Sequence, residues 1–159
     1  MLKDKFLEKW TSILVPKEFG PDKHVENGLP LLGIYIVPSN KMEDIKDYWY
    51  SDLPEDSKIY GLLVDIGAIL TLAGQKENKL GGKYVIRLNE SQSEAAGIFS
   101  LLHEVGHLSG ILTSDVAHEK DPDEFADSYA LRKVLELIQE PVLRAKVFFE
   151  AFSNDYLRA

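Results

Sequence analysis

The sequence predicts a single α+β domain in which a small sheet packs on helices. Two observations predict this class: short apolar runs rich in branched residues lie between residues 31 and 89, and stretches with apolar residues at helical spacing flank them on both sides. A chain of 159 residues has the length of one domain with one sizeable core, so we treat residues 1–159 as one unit.

The strands are predicted in the first half of the chain, after an amphipathic helix over residues 2–14. The apolar run 31–37 lies between prolines, which predicts a buried strand. The long apolar stretch 58–74 favours strand segments, with a helix over part of it left open, and residues 83–89 alternate as a further strand does. Residues 41–57 favour a short helix or a loop.

Two helices are predicted next along the chain. A capping box at residues 91–94 opens the first, and we expect this helix to end near Leu108, with Gly110 as its stop signal. Asp121 followed by Pro122 predicts the start of the second, because Pro is favoured at the first position of a helix.

Pro141 opens the last predicted helix, over residues 141–157. Its aromatic residues recur at helical spacing; they are Phe148, Phe149, Phe152 and Tyr156. Packing into the core is the default interpretation of this pattern, and a docking groove for a partner is the alternative.

The composition bounds the partners and the compartment. The net charge is −8, from 26 acidic and 18 basic residues, which argues against direct nucleic-acid binding. No apolar run approaches the roughly 20 residues of a membrane span, and the N-terminus has no signal-peptide core, so we expect a cytoplasmic protein without a membrane partner. The chain has no cysteine, so a metal site has to use His, Asp and Glu.

The stretch LLHEVGHLSG carries His103, Glu104 and His107 in the pattern His-Glu-x-x-His. Positions i and i+4 of a helix share a face, so the two histidines can reach one ion, while Glu104 at the edge of that face can contact a metal-bound water. Zinc with three protein ligands and one open position lowers the pKa of its water to about 7, and the carboxylate can accept the proton. The pattern predicts a zinc hydrolase with Glu104 as the general base.

The phase of this helix favours the metal interpretation over two ordinary helical histidines. Leu101, Leu102 and Val105 fall on one side, and His103 and His107 fall on the opposite side. We therefore expect one face of the helix to hold it to the core and the histidine face to look into a cleft.

The third ligand has to come from further along the chain. Thr113 stands where metzincins have their third histidine, and no methionine follows the motif, so this is not a metzincin. His118 is one candidate, although no periodic signal places it. Asp123 and Glu124 are the stronger candidates, because they open the next predicted helix.

A His-Glu-x-x-His helix followed by a second helix with an acid shortly before Ala-Asp-x-Tyr-Ala (126–130) resembles the gluzincin metallopeptidases, most nearly the ImmA/IrrE type. The resemblance covers about residues 82–135. It implies a zincin-like fold, in which a small twisted mixed sheet packs on the active-site helix and further helices follow. It also implies that strand 83–89 is an edge strand along the cleft, where an extended peptide can add.

The resemblance implies an acidic ligand but leaves two residues open. In those families the ligand is usually a Glu four residues before the Asp or Asn, and four residues before Asp127 stands Asp123, with Glu124 three before. Spacing and helix phase favour Asp123 and let Asp127 orient a histidine. Residue type favours Glu124, although capping of the helix already accounts for that residue. We favour Asp123 slightly.

These observations predict a cytoplasmic zinc-dependent metallopeptidase. Its substrate is a peptide or protein, and the resemblance implies a specific regulatory protein such as a repressor. The alternative is a metal-binding regulatory or interaction module of phage or toxin-antitoxin type that keeps the site without turnover. The oligomeric state stays open.

Overall fold

The computed structural model describes residues 1–21, 28–42, 59–68, 74, 81–153 and 157–158. Its helices are α1 (Asp4–Leu14), α2 (Ser39–Met42), α3 (Glu94–Leu112), α4 (Val116–Lys120), α5 (Pro122–Leu137) and α6 (Pro141–Phe152). Its strands are β1 (Leu31–Val37), β2 (Ile59–Asp65), β3 (Tyr84–Asn89) and β4 (Leu157–Arg158). The predicted α+β class is confirmed. Most of the segment 41–57 and the later part of 58–74, for which we predicted local structure, lie outside the described residues.

The strands form one mixed sheet in the order β1-β3-β2-β4. Strand β3 runs parallel to β1 and antiparallel to β2, and the two-residue β4 runs parallel to β2. The expected edge strand at 83–89 is therefore wrong. Because β3 is hydrogen-bonded to a neighbour on each side, neither of its edges can accept a peptide.

Helix α3 is the central helix of the fold, in contact with β2, β3 and four of the other helices. Every residue from Ala95 to Leu108 is buried. The prediction that the histidine face of α3 is open is therefore wrong. Helix α5 packs against α3, and the two histidines are buried as well.

Both ends of α3 differ from the prediction. Its N-cap is Ser93, whose Oγ accepts a hydrogen bond from the backbone N–H of Ala96 at 3.1 Å, whereas Ser91 donates to Asn89 Oδ1 at 2.8 Å. The helix continues through Gly110 to Leu112. Gly110 is therefore not a stop signal, and its place in the helix needs a different explanation.

Two buried amide side chains fix the turn between β3 and α3. Asn89 Nδ2 donates to the carbonyl of Ile59 at 3.1 Å, and Gln92 Nε2 donates to the carbonyl of Tyr60 at 2.8 Å. Ser100 Oγ in α3 donates in turn to Gln92 Oε1 at 2.7 Å. Because buried polar groups are costly unless they are paired, this network holds the start of β2 against α3.

Two aromatic residues of α6 do not pack into the core, contrary to the default interpretation of their spacing. Phe149 and Phe152 are 72% and 68% exposed, whereas Phe148 packs partly against the main core. The helix ends at Phe152, and Tyr156 lies outside the described residues. Core packing is therefore wrong for Phe149 and Phe152.

One described helix meets the length and composition of a membrane span. It is α3, in which an 18-residue window has a mean hydropathy of 1.2. Of the residues in that window, 83% are buried inside the fold. The expectation that no segment is apolar enough therefore needs this correction. The core helix of a soluble protein meets the same criterion, so the evidence for a membrane span is weak.

Candidate metal centre

The two histidines of the motif direct their Nε2 atoms at one point. These two atoms lie 3.0 Å apart, and the rings meet edge to face with their centroids 4.7 Å apart. His103 and His107 are 2% and 6% exposed. Spacing of i and i+4 on one helix is sufficient for this convergence, as the sequence predicted.

Asp123, the second residue of α5, supplies a carboxylate to the same point. Its Oδ1 lies 3.3 Å from His107 Nε2 and 3.8 Å from His103 Nε2. Within the described residues, these three side chains form a group whose ligand atoms all lie within 4.8 Å of one another. The Asp123 side chain is 71% exposed, so the centre is open to solvent on the α5 side.

Glu124, the alternative acid, does not join this group. Its backbone N–H donates to Asp121 Oδ1 at 3.2 Å, which caps α5 as predicted. Its exposed side chain lines a separate surface pocket with Lys120, Phe125 and others. Helix phase separates the two acids, because neighbouring residues point about 100° apart on a helix.

A close approach of α5 to α3 allows the short Asp side chain to reach the histidines. A β-carbon at Gly106 would lie 3.1 Å from both the Cα and the carbonyl oxygen of Ala126. Because both residues are small, the two backbones come together at this point. Ala126 lies three positions after Asp123, and Gly106 lies one position before His107. The sequence showed Gly106 inside the motif, but not which residue it would meet.

Asp127 contacts the other ring nitrogen of His103. Its Oδ1 lies 2.8 Å from His103 Nδ1. A carboxylate at this distance holds the proton on Nδ1 and leaves Nε2 free to bind a metal. Asp127 therefore makes the contact that its predicted role, the orientation of a metal-binding histidine, requires.

His118 lies behind His107 rather than beside the converging atoms. Its Nε2 is 3.0 Å from His107 Nδ1, on the far side of that ring from His103. Since His107 separates it from the group, the geometry disfavours His118 as the third ligand.

Glu104 is fully buried and lies against β2. A β-carbon at Gly61 would stand 3.1 Å from Glu104 Oε1 and 3.2 Å from its Cγ. The glycine therefore makes the space that the Glu104 side chain fills. Sequence reasoning missed this contact, because Gly61 is far from the motif in the chain.

The charges of the centre are coupled. Burial lowers the pKa of His107, but the hydrogen bond with Asp123 and the charges of Glu104, Asp123 and Asp127 outweigh it and raise that pKa overall. The same hydrogen bond, aided by the histidines, holds the pKa of Asp123 below its ordinary value despite burial. Burial and the neighbouring His107 lower the pKa of His118. The group is thus an anion beside two imidazoles, which is a donor set for a divalent cation.

The separations between the ligand atoms fit zinc. Tetrahedral zinc with bonds of about 2.0–2.1 Å holds its ligand atoms roughly 3.3 Å apart. The three separations among His103, His107 and Asp123 are 3.0, 3.3 and 3.8 Å. The three residues could therefore hold a metal ion, and zinc is the ion that the motif predicts.

Comparisons with protein-family models, with curated proteins and with solved structures found no match. The resemblance of residues 82–135 to the ImmA/IrrE type therefore stays a prediction from the sequence.

Proposed function

We propose that this protein is a zinc-dependent metallopeptidase with zinc held by His103, His107 and Asp123. The observation that carries the proposal is the convergence of two Nε2 atoms and one carboxylate oxygen with separations of 3.0–3.8 Å. Zinc in such a site activates a water molecule for hydrolysis. A site of three protein ligands leaves one position for that water, as catalytic zinc sites do.

The side chains around the ligands have complementary roles in this proposal. Asp127 keeps the proton of His103 on Nδ1, so that Nε2 binds the metal. Glu104 follows the first histidine in the motif and is the general base, which accepts a proton from water and delivers it to the leaving amine. Its carboxyl group is close enough to His107 for its charge to raise the pKa of that residue.

The substrate in this proposal is a peptide bond of a specific regulatory protein, such as a repressor, in the cytoplasm. Support for this class of substrate comes from the resemblance of residues 82–135 to the ImmA/IrrE type. The acidic chain, with a net charge of −8, favours a protein substrate over direct contact with nucleic acid.

One observation favours a second candidate, a metal-binding regulatory module without turnover. Glu104 is 0% exposed, whereas a general base has to reach the water that it activates. In this candidate the metal holds α3 and α5 together, and binding to a partner is the function.

The two candidates differ in the effect of Glu104→Gln. We expect the purified protein to carry about one zinc per chain and to cleave members of a proteome-derived peptide library, detected by mass spectrometry. The Glu104→Gln variant should keep its zinc and lose cleavage by at least about 10²-fold. Glu124→Gln, which changes the adjacent exposed acid, is the matched control and should keep both.

The outcomes separate the candidates. Zinc binding without cleavage by the wild-type protein, or equal cleavage by Glu104→Gln, would contradict the peptidase. Absence of zinc from the wild-type protein after loading would contradict both candidates.

A further inference from the structure

His118 is the one described residue of α4 whose side chain is buried. It is 8% exposed, whereas Val116 in the same short helix is 75% exposed. Helix α4 begins at the N-cap Asp115, which accepts a hydrogen bond from the backbone N–H of Ala117 at 2.9 Å. The inward contact of α4 is therefore made chiefly by this imidazole.

The His118 ring occupies a space made by Gly110. A β-carbon at Gly110 would overlap His118 Cγ and lie 2.6 Å from its Cβ, closer than side-chain atoms approach in proteins. Phe125 also contacts the His118 ring edge to face, with the ring centroids 5.3 Å apart and the planes nearly perpendicular. This explains why a glycine stands inside a helix that continues to Leu112.

The hydrogen-bond roles follow from which nitrogen faces the metal centre. His107 directs Nε2 at Asp123 and His103, so a neutral, metal-binding His107 carries its proton on Nδ1. That N–H lies 3.0 Å from His118 Nε2, which has to accept. His118 is then neutral, with its own proton on Nδ1.

We propose that His118 is a positioning residue, which fixes the ring and the tautomer of the ligand His107 as Asp127 does for His103. This inference rests on the proposed zinc site. A neutral imidazole places no negative charge behind His107, so the two ligand histidines are oriented by acceptors of different charge. Loss of such an acceptor typically weakens metal binding about 10–100-fold.

The test is zinc affinity, measured by competition with a chromophoric chelator. His118→Phe keeps an aromatic ring without an acceptor, and we expect zinc affinity to fall about 10–100-fold. His118→Gln can place an oxygen near the position of Nε2 and should recover most of it. His118→Asn, whose amide falls nearer the position of Nδ1, should not. An unchanged affinity in His118→Phe, or a loss in His118→Gln equal to that in His118→Phe, would overturn the proposal.

A second measurement needs no variant. In the ¹⁵N NMR spectrum of the zinc-loaded wild-type protein, we expect His107 to bind zinc through Nε2, and His118 to be neutral with its proton on Nδ1. A His118 ring with its proton on Nε2, or one that is doubly protonated, would refute the proposed acceptor role. Wild-type protein that binds no zinc would refute the zinc site itself and this inference with it. Zinc binding without cleavage would contradict only the peptidase.

Discussion

Gly106 of α3 packs directly against the backbone of Ala126 in α5, where an added β-carbon would lie 3.1 Å from two backbone atoms. This contact sets the distance between the helix that carries the histidines and the helix that carries the carboxylates. Backbone atoms cannot move aside as a flexible side chain can, so the contact has little tolerance for added volume.

We expect Gly106→Ala to push α5 away from α3 and to weaken the zinc site. Overpacking at such a contact typically costs about 1–3 kcal/mol of unfolding free energy. The measurements are denaturant unfolding of the metal-free protein and zinc affinity. Gly97→Ala is the control, because Gly97 lies in another part of α3. A β-carbon there would meet side-chain atoms of Leu2 and Phe6 instead of α5. Equal zinc affinity in the wild type and Gly106→Ala would show that this contact does not position the ligands.

The choice between the two acids predicts a ranking. Asp123→Ala should lower zinc affinity much more than Glu124→Ala, because Asp123 Oδ1 lies 3.3 Å from His107 Nε2 and Glu124 faces a separate pocket. Isothermal titration calorimetry with zinc measures the affinities of both variants. The reverse ranking would contradict the assignment of Asp123.

Asp127→Ala should weaken zinc binding without removing a ligand. It takes away the carboxylate 2.8 Å from His103 Nδ1, and loss of such a partner typically costs about 10–100-fold in metal affinity. Asp127→Asn keeps an oxygen that can accept a hydrogen bond from the same N–H. Its zinc affinity should lie between those of the wild type and Asp127→Ala. The measurement is chelator competition at constant pH, and the ranking fails if Asp127→Ala binds zinc as well as the wild type.

Gly61→Ala should change the position of the Glu104 carboxyl group rather than the metal. The added carbon would stand 3.1 Å from Glu104 Oε1, so either the side chain or β2 has to shift. We expect one zinc per chain to remain while peptide cleavage falls. Metal analysis and peptide digestion of the same preparation test this, and normal cleavage by Gly61→Ala would contradict it.

The N-cap of α6 predicts a dependence of stability on pH that is separate from the metal. Glu140 accepts hydrogen bonds from the backbone N–H groups of Val142 and Leu143, and these hold the pKa of its carboxyl group below its ordinary value of 4.5. A carboxyl group whose pKa is lower in the folded state stabilises the protein above that ordinary value. The contribution is lost as the pH falls through the folded-state pKa.

Glu140→Ala should therefore lower the unfolding free energy at neutral pH, with the difference from the wild type shrinking as the pH falls below about 4.5. Thermal unfolding across this pH range measures the effect. Glu8→Ala removes a carboxyl group from the exposed face of α1 and is the control. A difference between the wild type and Glu140→Ala that grows toward acid pH would contradict the cap.

The sequence alone determined the local features of this protein. The spacing of His103 and His107 placed two ligands on one helical face, Asp121 and Pro122 placed the start of α5, and the apolar run 31–37 gave β1 its bounds. These features depend on residues within a few positions of one another, where helical and strand periodicity act directly.

Only the tertiary structure decided the contacts between distant segments. It brought α5 close enough to α3 for Asp123 to reach the histidines, made β3 an internal strand, and placed Gly61 and Gly110 against the side chains of Glu104 and His118. A glycine in the sequence signals that space is needed but does not name the group that fills it. That group depends on how closely helices and strands pack, which side-chain periodicity within one segment does not encode.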